Sequence, residues 1–292
     1  MLSLKQLRRR LRTVHNTKLI TRAMRSVSAS KMRKAQDRRS KAKPYADHLE
    51  ALVARLVSAA GMEGQPLAAV RPVHKRLVVL FASDRGLCGA YNNSICRFGE
   101  EFLRLENRAE TDLYLIGRRA NDFFRKRGYS IAKAHTDFRG NMDTPRVLEI
   151  ARELHDAFCA GTYDEILMIH HIAISGIVYR PKKEVLLPLK AEELLRKAEV
   201  MKTHFKVDYL FEPDAVTVLA GVLPKYVETK VIYSFLDTLS AEHQARMLAM
   251  TTANNNCEEL IGTLTLQINK ARQSQITKEL LEIVSGADAL AG

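Results

Sequence analysis

The residues with reactive side chains do not fall into a catalytic motif. The turn SDRGLCGAYN (83–92) follows an apolar run and precedes a helical stretch, which is where a phosphate-binding loop would lie. Its glycines match neither G-x-G-x-x-G nor G-x-x-x-x-G-K-S/T, the spacings that hold nucleotide phosphates. His170 and His171 are neighbours on a predicted strand, so they point to opposite faces and are poorly placed to share a metal ion. We therefore predict a structural or contact role, with no catalytic residue, cofactor or metal.

The cysteines and the composition indicate a globular protein without disulfides. The four cysteines, Cys88, Cys96, Cys159 and Cys257, form no C-x-x-C pair, and we interpret them as reduced thiols of a cytosolic protein. The chain is 46% apolar and 27% charged. It contains no run of about 18 apolar residues, so no segment is predicted to span a membrane.

The positive charge is confined to the N-terminal segment. Residues 1–43 hold 15 Lys or Arg residues and a single acidic residue, Asp37, whereas the other 249 residues hold 31 basic and 32 acidic residues. The net charge is therefore +14 in this segment and −1 in the rest, in agreement with the total of +13. A strongly basic segment predicts an acidic partner, which can be a nucleic acid, an anionic lipid or an acidic protein surface.

This basic segment has the apolar spacing of a long helix and contains neither glycine nor proline. The residues that form one stripe, three and four apart, are Leu4, Leu7, Leu11 and Val14. The residues predicted to continue it in a shifted phase are Ile20, Met24 and Val27. Pro44 is a candidate kink, after which the helix is expected to resume until the Gly- and Pro-rich break at 61–72.

The middle of the chain alternates between strand and helix patterns. The predicted core strands are RLVVLFAS, DLYLIG and DEILMIHHIAIS, and KKEVLLPLK is a candidate edge strand. Helical segments follow each of the first two strands. This alternation predicts a small α/β domain with a largely parallel sheet.

The C-terminal part of the chain has a heptad pattern. The seam residues, spaced alternately by three and four, are Met247, Met250, Asn254, Cys257, Ile261, Leu264, Ile268 and Ala271. Asn254 is a polar residue within this seam, where it can fix the register of two helices. After Ala271 the phase slips, which indicates a change of packing partner.

The lengths of the two terminal helices decide the architecture. Residues 225–285 would span roughly 90 Å and the N-terminal helix about 65 Å or more, at about 1.5 Å per residue. A central domain of about 130 residues is too small to cover the apolar stripes of both helices. The economical arrangement packs the two helices on each other, antiparallel. The predicted domains are 1–60 and 210–286, paired as a coiled coil, and 72–205, the central α/β domain. The last residues, roughly 20 by the same rise, should run past Leu4 and need a partner outside the chain.

Four stretches, in order along nearly the whole chain, carry a resemblance to a known family. They are NTKLITRAMRSVSASKMRKAQ (16–36), SDRGLCGAYN (83–92), DYLFEPD (208–214) and HQARMLAM with NKARQSQITKELLEIVSGADAL (243–290). Together they resemble the gamma subunit of bacterial F-type ATP synthases. The resemblance implies a long antiparallel coiled coil of the N- and C-terminal helices with a small α/β, Rossmann-like, domain inserted between them.

In function, the resemblance implies a rotor shaft without catalytic activity of its own. Its partners would be three alpha and three beta subunits, the epsilon subunit and the c-ring, and the coupled process would be ion transport and ATP synthesis. Such a protein lies peripherally on the cytoplasmic side of the bacterial cytoplasmic membrane. The alternative that charge alone leaves open is a basic coiled-coil protein that binds nucleic acid, although aromatic residues for base stacking are missing from the basic segment.

The resemblance also implies contact residues. Those matching positions that contact the beta subunit are Arg22, Met24, Arg25, Lys31, Met32, Arg33, Arg85, Gly86, Leu87, Cys88, Arg272, Gln273, Ile276, Thr277, Glu279, Leu280, Glu282 and Ile283. Those matching the foot near the c-ring and epsilon are Tyr209, Phe211 and Glu212. The basic segment would then face an acidic lever of beta.

Overall fold

The computed structural model describes residues 3–105, 110–174, 178–201 and 211–291. In chain order, two long helices precede and follow a region of alternating strands and shorter helices. The helices are α1 (Leu4–Ala60), α2 (Tyr91–Leu105), α3 (Arg118–Arg125), α4 (Thr144–Cys159), α5 (Ala191–Met201) and α6 (Ala215–Ala291). The strands are β1 (Arg76–Phe81), β2 (Thr111–Ile116), β3 (Ile131–His135), β4 (Glu165–Ala173) and β5 (Tyr179–Leu187).

The five strands form one mixed sheet in the order β3-β2-β1-β4-β5. The pairs β1–β2, β1–β4 and β2–β3 are parallel, and β5 runs antiparallel to β4 at the edge. The predicted largely parallel sheet with an added edge strand is therefore confirmed. Helices cover both faces, which is why β1 is apolar and buried from Leu77 to Phe81.

Because successive residues of a strand point to opposite faces, β1 supplies two cores. Leu77, Val79 and Phe81 pack in a cluster with residues of α1, α4 and α6, among them Leu56 and Phe235. Their neighbours in the strand pack instead in a cluster with α2 and α3, formed by Val78, Leu80, Ile95, Phe102 and Phe124. In the first cluster, residues between Ala35 and Val57 of α1 and between Leu219 and Leu239 of α6 pack against the sheet.

Helix α1 is one continuous helix of 57 residues, with Pro44 inside it. It ends where the chain needs a left-handed conformation: Gly61 has φ +70 and its N–H donates to the carbonyl of Val57 at 2.9 Å. Helix α6 is longer, with 77 residues, and also contains a proline, Pro224. The contacts divide the chain into two compact units, Met1–Ser28 with Met247–Gly292, and Ala29–Arg246.

Within the unit Ala29–Arg246, polar contacts fix the direction in which α1 and α6 pair. Arg39 Nε lies 2.5 Å from Asp237 Oδ1, and the hydroxyl of Tyr226 donates to Glu50 Oε1 at 3.3 Å. From Arg39 to Glu50 the chain advances eleven residues, and from Asp237 to Tyr226 it goes back by the same number. The helices are therefore antiparallel, with one register for both contacts.

In the other unit the heptad seam of α6 is confirmed. Every predicted seam residue from Met247 to Ala271 is buried or half-buried, and Met250, Asn254 and Leu264 are the buried ones. From Arg272 to Ser285 every residue is exposed. Lys18 Nζ lies 3.0 Å from Glu258 Oε1. Counting back from this pair to Leu4, and equally far forward in α6, reaches Arg272, so α6 continues past the start of α1 as predicted.

The predicted phase shift in α1 is wrong. Ile20 and Val27 are 59% and 57% exposed, whereas Thr21 and Ser28 are buried. The heptad spacing continues unchanged from Val14 through polar positions, which are Lys18, Thr21, Arg25 and Ser28, all buried or half-buried. Thr21 can occupy the seam because its hydroxyl donates to the carbonyl of Lys18 within the helix, at 3.0 Å.

The seam predicts a clear difference between two leucines of α6. Leu264 is 5% exposed and Leu266, two residues later, is 72% exposed. We expect Leu264→Ala to lower the free energy of unfolding by about 2–5 kcal/mol, because it leaves a cavity in a packed seam. The matched control Leu266→Ala should change it by less than about 0.5 kcal/mol. Thermal unfolding followed by far-ultraviolet circular dichroism measures both, and equal shifts would contradict the seam.

Candidate partner-binding surface

The turn between β1 and α2 is held in shape by Ser83 and Asn92. The hydroxyl of Ser83 lies 2.6 Å from the carbonyl oxygen of Arg85 and 2.9 Å from Asn92 Oδ1, and Asn92 Oδ1 also accepts from the N–H of Ser83. Asn92 Nδ2 lies 3.1 Å from Cys88 Sγ. These contacts leave Leu87 at φ +60 with its side chain exposed.

Of the four turn residues named from the sequence, two present their side chains outward. Arg85 and Leu87 are exposed, Gly86 is half-buried and Cys88 is buried. Burial raises the pKa of the Cys88 thiol, with Arg246 counteracting it, so the group stays protonated at neutral pH. Cys88 therefore shapes the turn, while Arg85 and Leu87 are available to a partner.

A buried polar cluster fastens this turn to α6. Arg246 Nη1 lies 2.8 Å from Glu242 Oε1, and both side chains are almost fully buried. The Arg246 Nε donates to the carbonyl oxygen of Gly86 at 3.4 Å, and its Nη2 donates to that of Arg85 at 3.5 Å. Arginine therefore satisfies a carboxylate and two backbone carbonyls at once, as its planar fork permits.

His243, in the same turn of α6, makes a second attachment. Its Nε2 donates to the carbonyl oxygen of Gly140 at 2.8 Å, and its Nδ1 lies 3.3 Å from Arg246 Nη1. Because the carbonyl only accepts and the guanidinium only donates, the ring is neutral with its proton on Nε2. Burial lowers the pKa of His243 to about 4, and Arg246 adds to this effect. Burial raises the pKa of Glu242, against the pull of Arg246.

Sequence reasoning missed this cluster. The stretch that begins at His243, just after Glu242, and contains Arg246 was noted only for its resemblance, because polar residues in a helix are usually solvated. A usable signal existed: residues 240–246 fall between apolar stretches of a helix with no glycine or proline nearby. A long helix that stays buried there must bring its polar groups into mutual contact.

The contact residues proposed on α1 differ in exposure. Arg22 and Arg33 are exposed, whereas Met24, Arg25, Lys31 and Met32 are half-buried. Lys31 Nζ donates to the carbonyl oxygen of Arg139 at 3.3 Å. Burial lowers the pKa of Lys31, partly offset by Glu242, and Arg85 and Arg246 lower it further.

The contact residues proposed near the end of α6 all lie on its exposed part. They are Arg272, Gln273, Ile276, Thr277, Glu279, Leu280, Glu282 and Ile283. Their described polar contacts stay within the helix: Gln275 Nε2 donates to Glu279 Oε1 at 3.0 Å, and Lys278 lies 3.7 Å from Glu282. Ile276, Leu280 and Ile283, spaced by four and three, form an exposed apolar stripe.

At the proposed foot, Tyr209 lies outside the described residues. Phe211 is half-buried and packs against the core that contains Phe235, and Glu212 is exposed. None of the helices in the described ranges has an apolar stretch of the length and composition that a membrane crossing needs. The same ranges hold no group of three His, Cys, Asp or Glu side chains arranged for a metal ion.

The fold is shared with solved ATP synthase chains. A chain of the Euglena gracilis mitochondrial ATP synthase has a TM-score of 0.68 at 18% identity, over 98% of this chain and 94% of that one. A chain from the central stalk and c-ring structure of the Tetrahymena thermophila mitochondrial ATP synthase has a TM-score of 0.60 at 23% identity, over 80% and 99%.

Sequence comparison shows the family. The family model described as ATP synthase matches residues 3–290. The ATP synthase gamma chain of Moorella thermoacetica is 43% identical over 290 residues, which cover 99% of this chain and 100% of that one. The ATP synthase gamma chain of Pelotomaculum thermopropionicum is 40% identical over 288 residues, 99% of each. The chain therefore belongs to the family of ATP synthase gamma chains.

Proposed function

We propose that this chain is the rotor shaft of an F-type ATP synthase, a non-catalytic subunit that couples ion flow and c-ring rotation to the catalytic cycle of the beta subunits. The observation that carries this proposal is the end of α6. It runs past the start of α1, its described side chains from Arg272 onward are exposed, and they include an apolar stripe. Full burial of one Ile or Leu side chain is worth about 1.5–3 kcal/mol, so such a stripe favours a partner.

The proposed partner of this end is the hollow of a ring of three alpha and three beta subunits. An apolar stripe can stay in contact with the ring while the helix rotates, provided that the polar contacts beside the stripe are weak and exchangeable. The pairs Gln275–Glu279 and Lys278–Glu282 fit this requirement, because exposed pairs four apart in a helix are worth roughly 0.2–0.5 kcal/mol each. Arg272 and Gln273 are the residues that we assign to an acidic loop of beta, since arginine binds carboxylates with two parallel hydrogen bonds.

The basic segment of α1 is assigned to the acidic lever of beta, and the turn after β1 is assigned to the beta subunit as a second contact. The contributing residues would be Arg22, Met24, Arg25, Lys31, Met32 and Arg33, with Arg85, Gly86, Leu87 and Cys88 of the turn, where buried Cys88 acts on the shape alone. Some of the basic residues are already neutralised within the chain, as Lys18 is by Glu258 and Arg39 by Asp237. For the other basic residues of α1, family membership favours an acidic protein over nucleic acid as the partner.

The remaining assignments follow the family. Tyr209, Phe211 and Glu212 would contact the c-ring and the epsilon subunit, and the proposed domains are 1–60, 72–205 and 210–286. The relatives that are about 40% identical come from Pelotomaculum and Moorella, whereas the mitochondrial chains are 18% and 23% identical. This difference favours a bacterial complex, with the chain placed peripherally on the cytoplasmic side of the cytoplasmic membrane.

Assembly tests the proposed function directly. We expect co-expression of this chain with bacterial alpha and beta subunits to give one complex of three alpha, three beta and one copy of this chain, because a single axle fills a single hollow. Native mass spectrometry gives the stoichiometry. A chain that stays separate from alpha and beta, or that binds them in more than one copy per ring, would rule out the shaft.

The residues Arg272 and Gln273 generate a separate expectation. Arg272→Ala and Gln273→Ala should each lower ATP synthesis in inverted membrane vesicles, the Arg272 variant by roughly tenfold, because a hydrogen bond to a charged group is worth about 1.5–3 kcal/mol. The matched control Gln267→Ala changes another exposed position of α6 and should keep the normal rate. Circular dichroism of the free variants should be unchanged, and wild-type synthesis in both variants would count against the assignment.

A further inference from the structure

A cavity of about 260 Å³ lies between α1, the loop before α4 and α6, within the unit Ala29–Arg246. We call it the basic cavity, and its lining residues are Lys31, Lys34, Ala35, Arg38, Gly140, Asn141, Met142, Leu239 and His243. Three of these side chains are cationic and none is a carboxylate. Lys31, Lys34 and Arg38 follow one another at three and four residues, which places them along one face of α1.

The acidic residues of α1 and α6 that lie near the lining residues in sequence already have partners, and Asp143, which follows Met142, accepts from the backbone N–H of Arg146. Glu242 pairs with Arg246, Asp237 with Arg39 and Asp37 with Lys41, at 2.8, 2.5 and 3.0 Å. Asp84 accepts hydrogen bonds from the backbone N–H groups of Arg118, Asp137 and Arg139. In the described ranges no ion pair is formed by Lys34 or Arg38, and the polar contact of Lys31 is to a neutral carbonyl oxygen.

The cationic groups therefore repel one another inside the cavity, and Glu242, already paired with Arg246, compensates this repulsion only in part. Burial lowers the pKa of Lys31, Glu242 raises it, and Arg85, Arg246 and Lys34 lower it again. His243 is held neutral by its contacts with Gly140 and Arg246, so it adds no charge to the cavity. A bound anion would remove this repulsion.

We propose that the basic cavity is a binding site for a phosphate group, taken up as free inorganic phosphate or pyrophosphate or as the phosphate end of a nucleotide. Lysine supplies a compact point charge and arginine a planar fork, and both are common phosphate ligands. The volume is below the roughly 300–1,000 Å³ of sites that enclose drug-sized ligands, so the cavity suits the phosphate group and not a whole nucleotide. The cavity is formed by this chain alone, but Lys31, which lines it, is also among the residues assigned to the beta subunit, so the site is tested on the free chain.

Calorimetric titration of the full chain tests this site. Phosphate, pyrophosphate and ADP are titrated separately at constant ionic strength, with sodium chloride as the blank. We expect saturable binding of pyrophosphate with a stoichiometry of one. Tighter binding of ADP than of pyrophosphate would identify a nucleotide as the source of the phosphate group, and the reverse would identify the free anion.

Matched variants separate the cavity from the general charge of α1. The double variant Lys34→Gln, Arg38→Gln should weaken pyrophosphate binding roughly tenfold to a hundredfold, since each lost contact to a charged group is worth about 1.5 kcal/mol or more. The control Lys5→Gln, Arg12→Gln removes the same charge from the same helix outside the cavity, and should weaken it less than about twofold. All four positions are exposed, so folding should be retained. Equal losses in both doubles, or no saturable heat with the unmodified chain, would overturn the proposal.

Discussion

The antiparallel pairing of α1 with α6 is the interaction on which the rest of the structure depends. In the unit that contains the sheet, Arg39–Asp237 and Tyr226–Glu50 fix a single register, and the shared core with β1 holds both helices in place. In the other unit a heptad seam centred on Asn254 and Leu264 does the same work. One consequence is geometric: since α6 is 77 residues long and α1 is 57, the longer helix must extend beyond the shorter one.

The second constraint is the attachment of α6 to the α/β region. Glu242, His243 and Arg246 hold the turn at Arg85–Gly86 and the loop at Gly140 through a buried polar cluster. Removing one partner of a buried ion pair typically costs about 3–5 kcal/mol, so the cluster resists partial release. In a rotor such an attachment would pass torque between the domain and the helix, and it also leaves the turn's exposed side chains in a fixed position.

The sequence predicted those features in which hydrophobicity and position agree. The α6 seam and the first half of the α1 stripe are apolar, and the strands alternate with helices, so these elements were found with useful accuracy. The second half of the α1 stripe was misplaced because Lys18, Thr21 and Ser28 occupy seam positions that hydrophobicity assigns to Ile20 and Val27. The polar cluster of α6 was missed because its side chains can be buried only when they pair with one another, and a sequence does not show that pairing. The proposed contact residues came from family resemblance, which indicates positions in the sequence but not whether a side chain is exposed. Cys88, for example, matches a contact position and is buried.

Hydrogen exchange measured by mass spectrometry tests the central claim most directly, on the free chain and on its complex with alpha and beta subunits. The account predicts that amides of α6 up to Ala271 exchange slowly in the free chain, because they lie in the paired region, and that amides from Gln273 to Ser285 exchange rapidly. In the complex the second group should become protected while the first changes little. Protection of residues 273–285 already in the free chain, or rapid exchange there in the complex, would contradict the account.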